Sequence, residues 1–158
     1  MKTIDFKEKD IEILNKMIFD SSILFEDIEN IALQDDNTII LNIERRTFEN
    51  VKRKRFFLFW ERTYFQGKSS QLKFHNVRRF NNPKEKIEPH ISNDFILEIT
   101  SNSERPELTI RTVHHNDILS IEFKNEMQIS LIDMEESDYG KGVSIGRVGY
   151  TNKEWEVF

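Results

Sequence analysis

Thr38-Ile39-Ile40-Leu41-Asn42-Ile43-Glu44 is the stretch that decides the fold. Ile39, Leu41 and Ile43 recur at every second residue, the period of a strand with one buried face. Gln34-Asp35-Asp36-Asn37 precedes it, and Asp and Asn tolerate turn geometry, so a hairpin is expected with residues 28–33 as the opposite strand. Further upstream the period is helical. Ile11, Leu14, Met17 and Ile18 fall on one side, and Lys7, Lys9, Asp10, Glu12 and Lys16 on the other. This predicts an amphipathic helix over about residues 6–19, with Asp5 as its N-cap and Glu8 in the capping-box position.

Downstream the strand period persists. A long central strand is expected at about 55–65, around Phe56-Phe57-Leu58-Phe59-Trp60, then a turn at 66–70 and a returning strand at 72–80. Pro83 and Pro89 mark 81–93 as a loop. Strands follow at 95–100 and 108–113, joined by a turn at 101–106. Residues 117–123 and 127–132 read as a hairpin across Lys124-Asn125-Glu126, and 133–142 as a short acidic helix closed by Gly140. Four of the five glycines lie between 140 and 149, so 141–158 reads as a Gly-rich tail or peripheral segment, which Trp155 and Phe158 could pin. The expected class is α+β: an N-terminal amphipathic helix, then a mostly antiparallel sheet of about eight strands, curled or closed into a partial barrel, in one domain over 1–140. A doubly wound parallel fold would need helices between the strands, and the chain offers none.

Composition narrows the function classes. The chain has 158 residues, 59 apolar and 51 charged, which is the size of one domain. It has no cysteine, which excludes disulfides, thiolate metal sites and a cysteine nucleophile. No apolar run approaches the ~18–20 residues of a membrane span, and the charged N-terminus lacks the apolar core of a signal peptide. A cytoplasmic protein without a membrane partner is expected.

Few motifs carry chemistry. Gly142-Val143-Ser144-Ile145-Gly146 has the spacing of a nucleophile elbow, but no Asp or His follows Ser144 to complete a triad. His114 and His115 are adjacent, so a continuing strand would send them to opposite faces. His75 and His90 stand apart from them in sequence. No catalytic residue, metal ligand or cofactor is expected. Asp133, Glu135, Glu136 and Asp138 read as a solvated acidic surface, the alternative being docking on a basic stretch of this chain or of another copy.

That basic stretch is the informative feature. Residues 45–79 hold eleven Lys and Arg against Glu49 and Glu61, a window of +9 in a chain whose remainder is -14. Lys52, Arg53, Lys54 and Arg55 are consecutive and run into aromatics, which offers phosphate neutralisation next to stacking surfaces. The glycines of the ribonucleoprotein signature are missing. The plain alternative is a core strand entered through a basic loop.

The order of these motifs resembles the bacterial family catalogued as domain of unknown function 2948. The resemblance rests on Ile18-Phe19-Asp20-Ser21 at the helix end, Asp27-Ile28-Glu29-Asn30-Ile31, Phe48-Glu49 before the basic run, the Leu72-x-Phe74-x-x-Val77 strand, and Asp138-Tyr139-Gly140 after the last hairpin. It covers about residues 4–140. Residues 56–71 look like extra sequence, the family's glycine-rich final turn is Lys124-Asn125-Glu126 here, and its late cysteine is absent. The resemblance implies no activity.

The expected function is therefore a non-enzymatic binding or adaptor module. Lys52, Arg53, Lys54, Arg55, Arg78 and Arg79 would meet an acidic partner: a protein surface, a nucleic acid or a second copy of the chain. The alternative is an enzyme whose site is assembled from distant loop residues.

Overall fold

The structure is a computed structural model. It describes residues 2–19, 21–57, 60–81, 93–102, 104–114, 117–137 and 143–147, and at 25, 46–57, 60–67, 93, 135–137 and 143–147 the backbone alone. Eight strands are mixed with short helices: β1 (Lys2–Lys7), a 3-10 turn (Glu8–Asp10), α1 (Ile11–Ile18), β2 (Ser22–Leu24), α2 (Phe25–Glu29), β3 (Ile39–Phe57), β4 (Trp60–Asn81), β5 (Asn93–Asn102), β6 (Glu107–Thr112), β7 (Asp117–Ser137) and β8 (Val143–Arg147). Among the described residues all the strand pairings are antiparallel. The strand order is β1-β7-β6-β5-β2-β3-β4-β8, and β4 also pairs with β7. That last pairing closes six strands into a barrel, where the sequence predicts a curled sheet or partial barrel.

Alternation explains the interior. Ile39, Leu41 and Ile43 of β3, Leu72 and Phe74 of β4, Leu108 and Ile110 of β6, and Ile129 and Leu131 of β7 are all buried in one core. The weak seam lies between β5 and β3. There β2 is only three residues long and meets β3 at the single register pair Ser22↔Glu44. α1 covers this seam, burying Ile11, Leu14 and Ile18 as the helical period predicts. Its Asn15 amide donates to the Ile99 carbonyl at 2.8 Å and accepts from the Ile99 N–H at 2.6 Å. One side chain thus takes the place of a neighbouring strand along an edge of β5 that β2 is too short to cover.

Several expectations are corrected. The helix starts at Ile11 because residues 2–7 pair with β7 instead, burying Phe6. Asp5 is therefore a strand residue and caps nothing; the backbone N–H of Lys7 is met by Asp10 at 3.1 Å. Residues 28–33 are no strand: α2 ends there, and Ile28 and Ile31 reach the core from a helical turn and the segment after it. The turn at 34–37 does form, with Asn37 at φ 57, but it joins α2 to β3. The central strand expected at 55–65 is split, because the chain reverses between Phe57 and Trp60, which pair with each other. Residues 66–70 are no turn but the middle of β4, bonded to β3 throughout and to β7 from Gly67 on.

Nor is there a hairpin at Lys124-Asn125-Glu126. β7 continues through it, and between the pairs Val77↔Phe123 and His75↔Gln128 it carries extra residues as a broad bulge. Facing that bulge, Asn76 takes φ 58. The acidic helix expected at 133–142 is, through Ser137, the extended end of β7 on β4. The loop at 82–92 and residues 138–142 and 148–158 lie outside the described residues. Val143–Arg147 form β8 on the edge of β4, with Ser144 in mid-strand, which is no nucleophile elbow.

Candidate functional site

Apart from Lys73, which stands 3.5 Å from Asp36 of the 34–37 turn, the basic window divides into three places. The first is inside the barrel, at the end where β3 and β4 leave it. Arg45 and Asp133 occupy inward positions continuing the rows of Ile43 and Leu131, and Arg45 is only 4% exposed. The guanidinium holds the carboxylate through Nε at 3.0 Å and Nη2 at 2.8 Å to both oxygens. Ser70 Oγ donates to Asp133 at 3.0 Å, and Lys68 Nζ stands 3.7 Å away. Burial pushes the Asp133 carboxyl up, but the Arg45 hydrogen bonds and charge, the Ser70 hydroxyl and Lys68 outweigh it, so its pKa lies below the usual carboxylate value. Asp133 is thus not solvated acidic surface. It meets the chain's own basic window through Arg45 and Lys68, while Asp138 lies outside the described residues and Glu135 and Glu136 are described in backbone only.

The second place is the far end of β4. Arg78 Nη1 lies 3.1 Å from Glu122 of β7, and Arg79 Nε bonds the other oxygen of the same carboxylate. Arg79, Phe80, Asn81, Glu107, Ser120 and Glu122 line a cavity of about 340 Å³. Glu107 and Glu122 are directly opposite in register, and Ser120 donates to Glu107 at 2.8 Å. Two facing carboxylates could bind a cation or work as acid and base, but here both are already engaged, one by two arginines and one by a hydroxyl.

The third place is the ribbon formed by the distal halves of β3 and β4. The last β4–β7 pair is Gly67↔Ser137, yet β3 and β4 run on together to Phe57↔Trp60. At the barrel rim β3 holds extra residues between Thr47↔Gln66 and Lys52↔Tyr64, a bulge of the kind that bends a ribbon away from a barrel. Lys52, Arg53, Lys54 and Arg55 lie beyond it, opposite Tyr64, Thr63, Arg62 and Glu61. Arg62 and Arg78 are sixteen residues apart on one strand. The six residues expected to form one patch therefore stand at opposite ends of β4.

A histidine network missed by the sequence reading crosses β4, β7 and β1. His75 Nε2 lies 2.9 Å from Ser130 Oγ, which donates to Asp5 at 2.6 Å. Since the hydroxyl proton goes to Asp5, the imidazole must be the donor to the oxygen. In a hydrolase triad the histidine sits between serine and carboxylate and accepts the hydroxyl proton; here the serine is in the middle, so the set ties three strands together and generates no nucleophile. Burial first, then Lys73, holds the His75 pKa below its ordinary value. Only the strand pairing brings the three together, from positions 5, 75 and 130.

Among the described residues no group of three His, Asp or Glu could hold a metal ion, and no helix is long and apolar enough to cross a membrane. Compared with known proteins, the chain matches no family model, no curated protein and no solved structure.

Proposed function

We propose that the protein is a non-enzymatic cytoplasmic binding module in which the barrel is the scaffold and the β3–β4 ribbon meets an anionic partner. One observation carries this reading: Arg45, Lys68, Lys73, Arg78 and Arg79 stand against three carboxylates, Asp133, Asp36 and Glu122, and the rest of the basic window falls on β3 and β4 from Arg46 to Arg62. Residues 46–67 contain six Lys and Arg against two Glu, and 143–147, paired alongside, add Arg147 and no acid. An excess of like charge on a projecting element steers an oppositely charged partner and is sensitive to salt. The likeness in motif order to the domain of unknown function 2948 family belongs to this reading and adds no activity to it.

The test replaces Lys52, Arg53, Lys54 and Arg55 with glutamine and follows two quantities, retention on immobilised inorganic polyphosphate as salt rises and mass in solution. Earlier release with unchanged mass supports an external anionic partner. A fall from dimer to monomer identifies that partner as a second copy. If neither changes, the ribbon binds nothing anionic and the reading is wrong. The alternative, an enzyme built from distant residues, has on its side the cavity between Glu107 and Glu122.

A further inference from the structure

The two faces of the ribbon are not alike. Successive residues of a strand alternate between faces, and residues directly opposite in an antiparallel pair share one. Trp60, Arg62 and Tyr64 of β4 therefore lie on one face. Their register partners are Phe57, Lys54 and Lys52 on β3 and Arg147, Ile145 and Val143 on β8. These register positions bring four cations and three aromatics, Phe57, Trp60 and Tyr64, together, and none of them is a carboxylate. The other face carries Arg53, Arg55, Thr63, Ser144 and Gly146, with Glu61 directly opposite Arg55.

We propose that the face carrying Trp60 and Tyr64 among Lys52, Lys54, Arg62 and Arg147 is a platform for single-stranded nucleic acid. The proposal rests on the reading of the ribbon as an anion-binding element and specifies its partner. Cations interleaved with aromatics match the two needs of a single strand, neutralised phosphates and flat surfaces for unpaired bases. A purely acidic protein surface would use the charges and leave the aromatics without a role. Duplex DNA is disfavoured by width. The major groove, about 12 Å wide, admits a two-stranded ribbon, but β8 makes this one three-stranded, about 10 Å between outer backbones before any side chain is counted. Trp60 and Tyr64 are four residues apart, about 13 Å along the strand, with Arg62 between them.

The experiment uses the full chain. Trp60 and Trp155 are the two tryptophans, so Trp155→Phe leaves Trp60 as the reporter. It is titrated with an oligo(dT) strand, a duplex of equal length and inorganic polyphosphate. Oligo(dT) should quench Trp60 and bind more tightly than the other two. With four phosphates contacted, the slope of log K on log salt should be about -3. Trp60→Ala and Tyr64→Ala, read by anisotropy of a labelled strand, should each weaken binding about 5- to 150-fold. Trp60→Phe keeps a ring and should restore most of it, which separates stacking from misfolding. Lys52→Gln with Lys54→Gln should lower the slope more than Arg53→Gln with Arg55→Gln. Equal binding of oligo(dT) and polyphosphate, with both alanine variants neutral, overturns the platform and leaves the anionic-partner reading standing. Duplex bound as tightly as single strand also overturns it. If neither oligo(dT) nor polyphosphate binds, both readings fall.

Discussion

The barrel and the ribbon draw their cations from the same 35-residue window and treat them oppositely. In the barrel each cation described above meets a carboxylate, and the best-buried one is closed off from water by Asp133 and Ser70. In the ribbon, Lys54 is set opposite Arg62, a like-charge register that costs stability rather than adding it. Net charge alone, -5 for the chain, hides both facts. A cation matched within the fold contributes to structure, and a surplus retained at a cost in repulsion is what the proposed reading assigns to a partner.

The largest expected effect breaks the barrel side. Arg45→Ala leaves Asp133 buried without its main partner, and removal of one member of a buried pair costs about 3–5 kcal/mol. Chemical denaturation measures it; a loss under about 1 kcal/mol would mean that the pair is not sealed from water. Replacing both by apolar residues, Arg45→Met with Asp133→Leu, should recover most of the loss.

Leu14→Ala should cost about 2–5 kcal/mol, since Leu14 is fully buried against the seam. Asn15→Ala leaves the Ile99 N–H and carbonyl without the amide and should cost about 1–3 kcal/mol, with faster hydrogen exchange confined to β5 and α1. Together these set the barrel's cohesion, against which the ribbon is compared.

Acid provides a titration of the same contrast. The Asp133 pKa is depressed in the folded state, so the stability it contributes is full above its unfolded value near 3.8 and is lost as pH falls through the lower folded value. For His75 the folded pKa is also depressed, so its contribution is full above about 6.5 and declines as pH falls below that. A His75→Gln variant should therefore show a flatter stability profile between pH 5 and 7 than the parent, and an unchanged slope would remove His75 from the account. The smallest effect is expected in the ribbon, where glutamine at Lys52, Arg53, Lys54 and Arg55 should change stability by no more than about 0.5 kcal/mol, the range for surface substitutions.

What could be read from the sequence was local. The alternation of Ile39, Leu41 and Ile43 and of Leu108 and Ile110, and the helical row Ile11, Leu14 and Ile18, depend on each segment's own period, and they mark buried faces in the structure. The errors arose where a distant partner decided the outcome. Residues 2–7 carry a capping-box spacing, yet β7 supplies a ladder for them 125 residues away. Asp133 sits in a run that looks like solvated acid, and its partner Arg45 is 88 residues upstream. Lys124-Asn125-Glu126 has turn composition, but continuous pairing of β4 on both sides of it made a bulge out of a reversal. The basic run at 52–55 stood out plainly; that Arg78 and Arg79 belong to a different end of the molecule did not, because sequence distance along a strand of 22 residues says nothing of where Glu122 lies.

The central claim is that the ribbon's cations serve a partner and those at the far end of β4 serve the fold. It is tested most directly by a charge-matched pair of variants, Lys52→Gln with Lys54→Gln and Arg78→Gln with Arg79→Gln, each titrated against inorganic polyphosphate over a range of salt. Each pair removes two positive charges, so any effect of net charge is common to both. The account predicts weaker binding and a shallower salt slope for the ribbon pair, and a smaller loss for the Arg78 and Arg79 pair, which share Glu122. Equal losses, or a larger loss from Arg78 and Arg79, would contradict it.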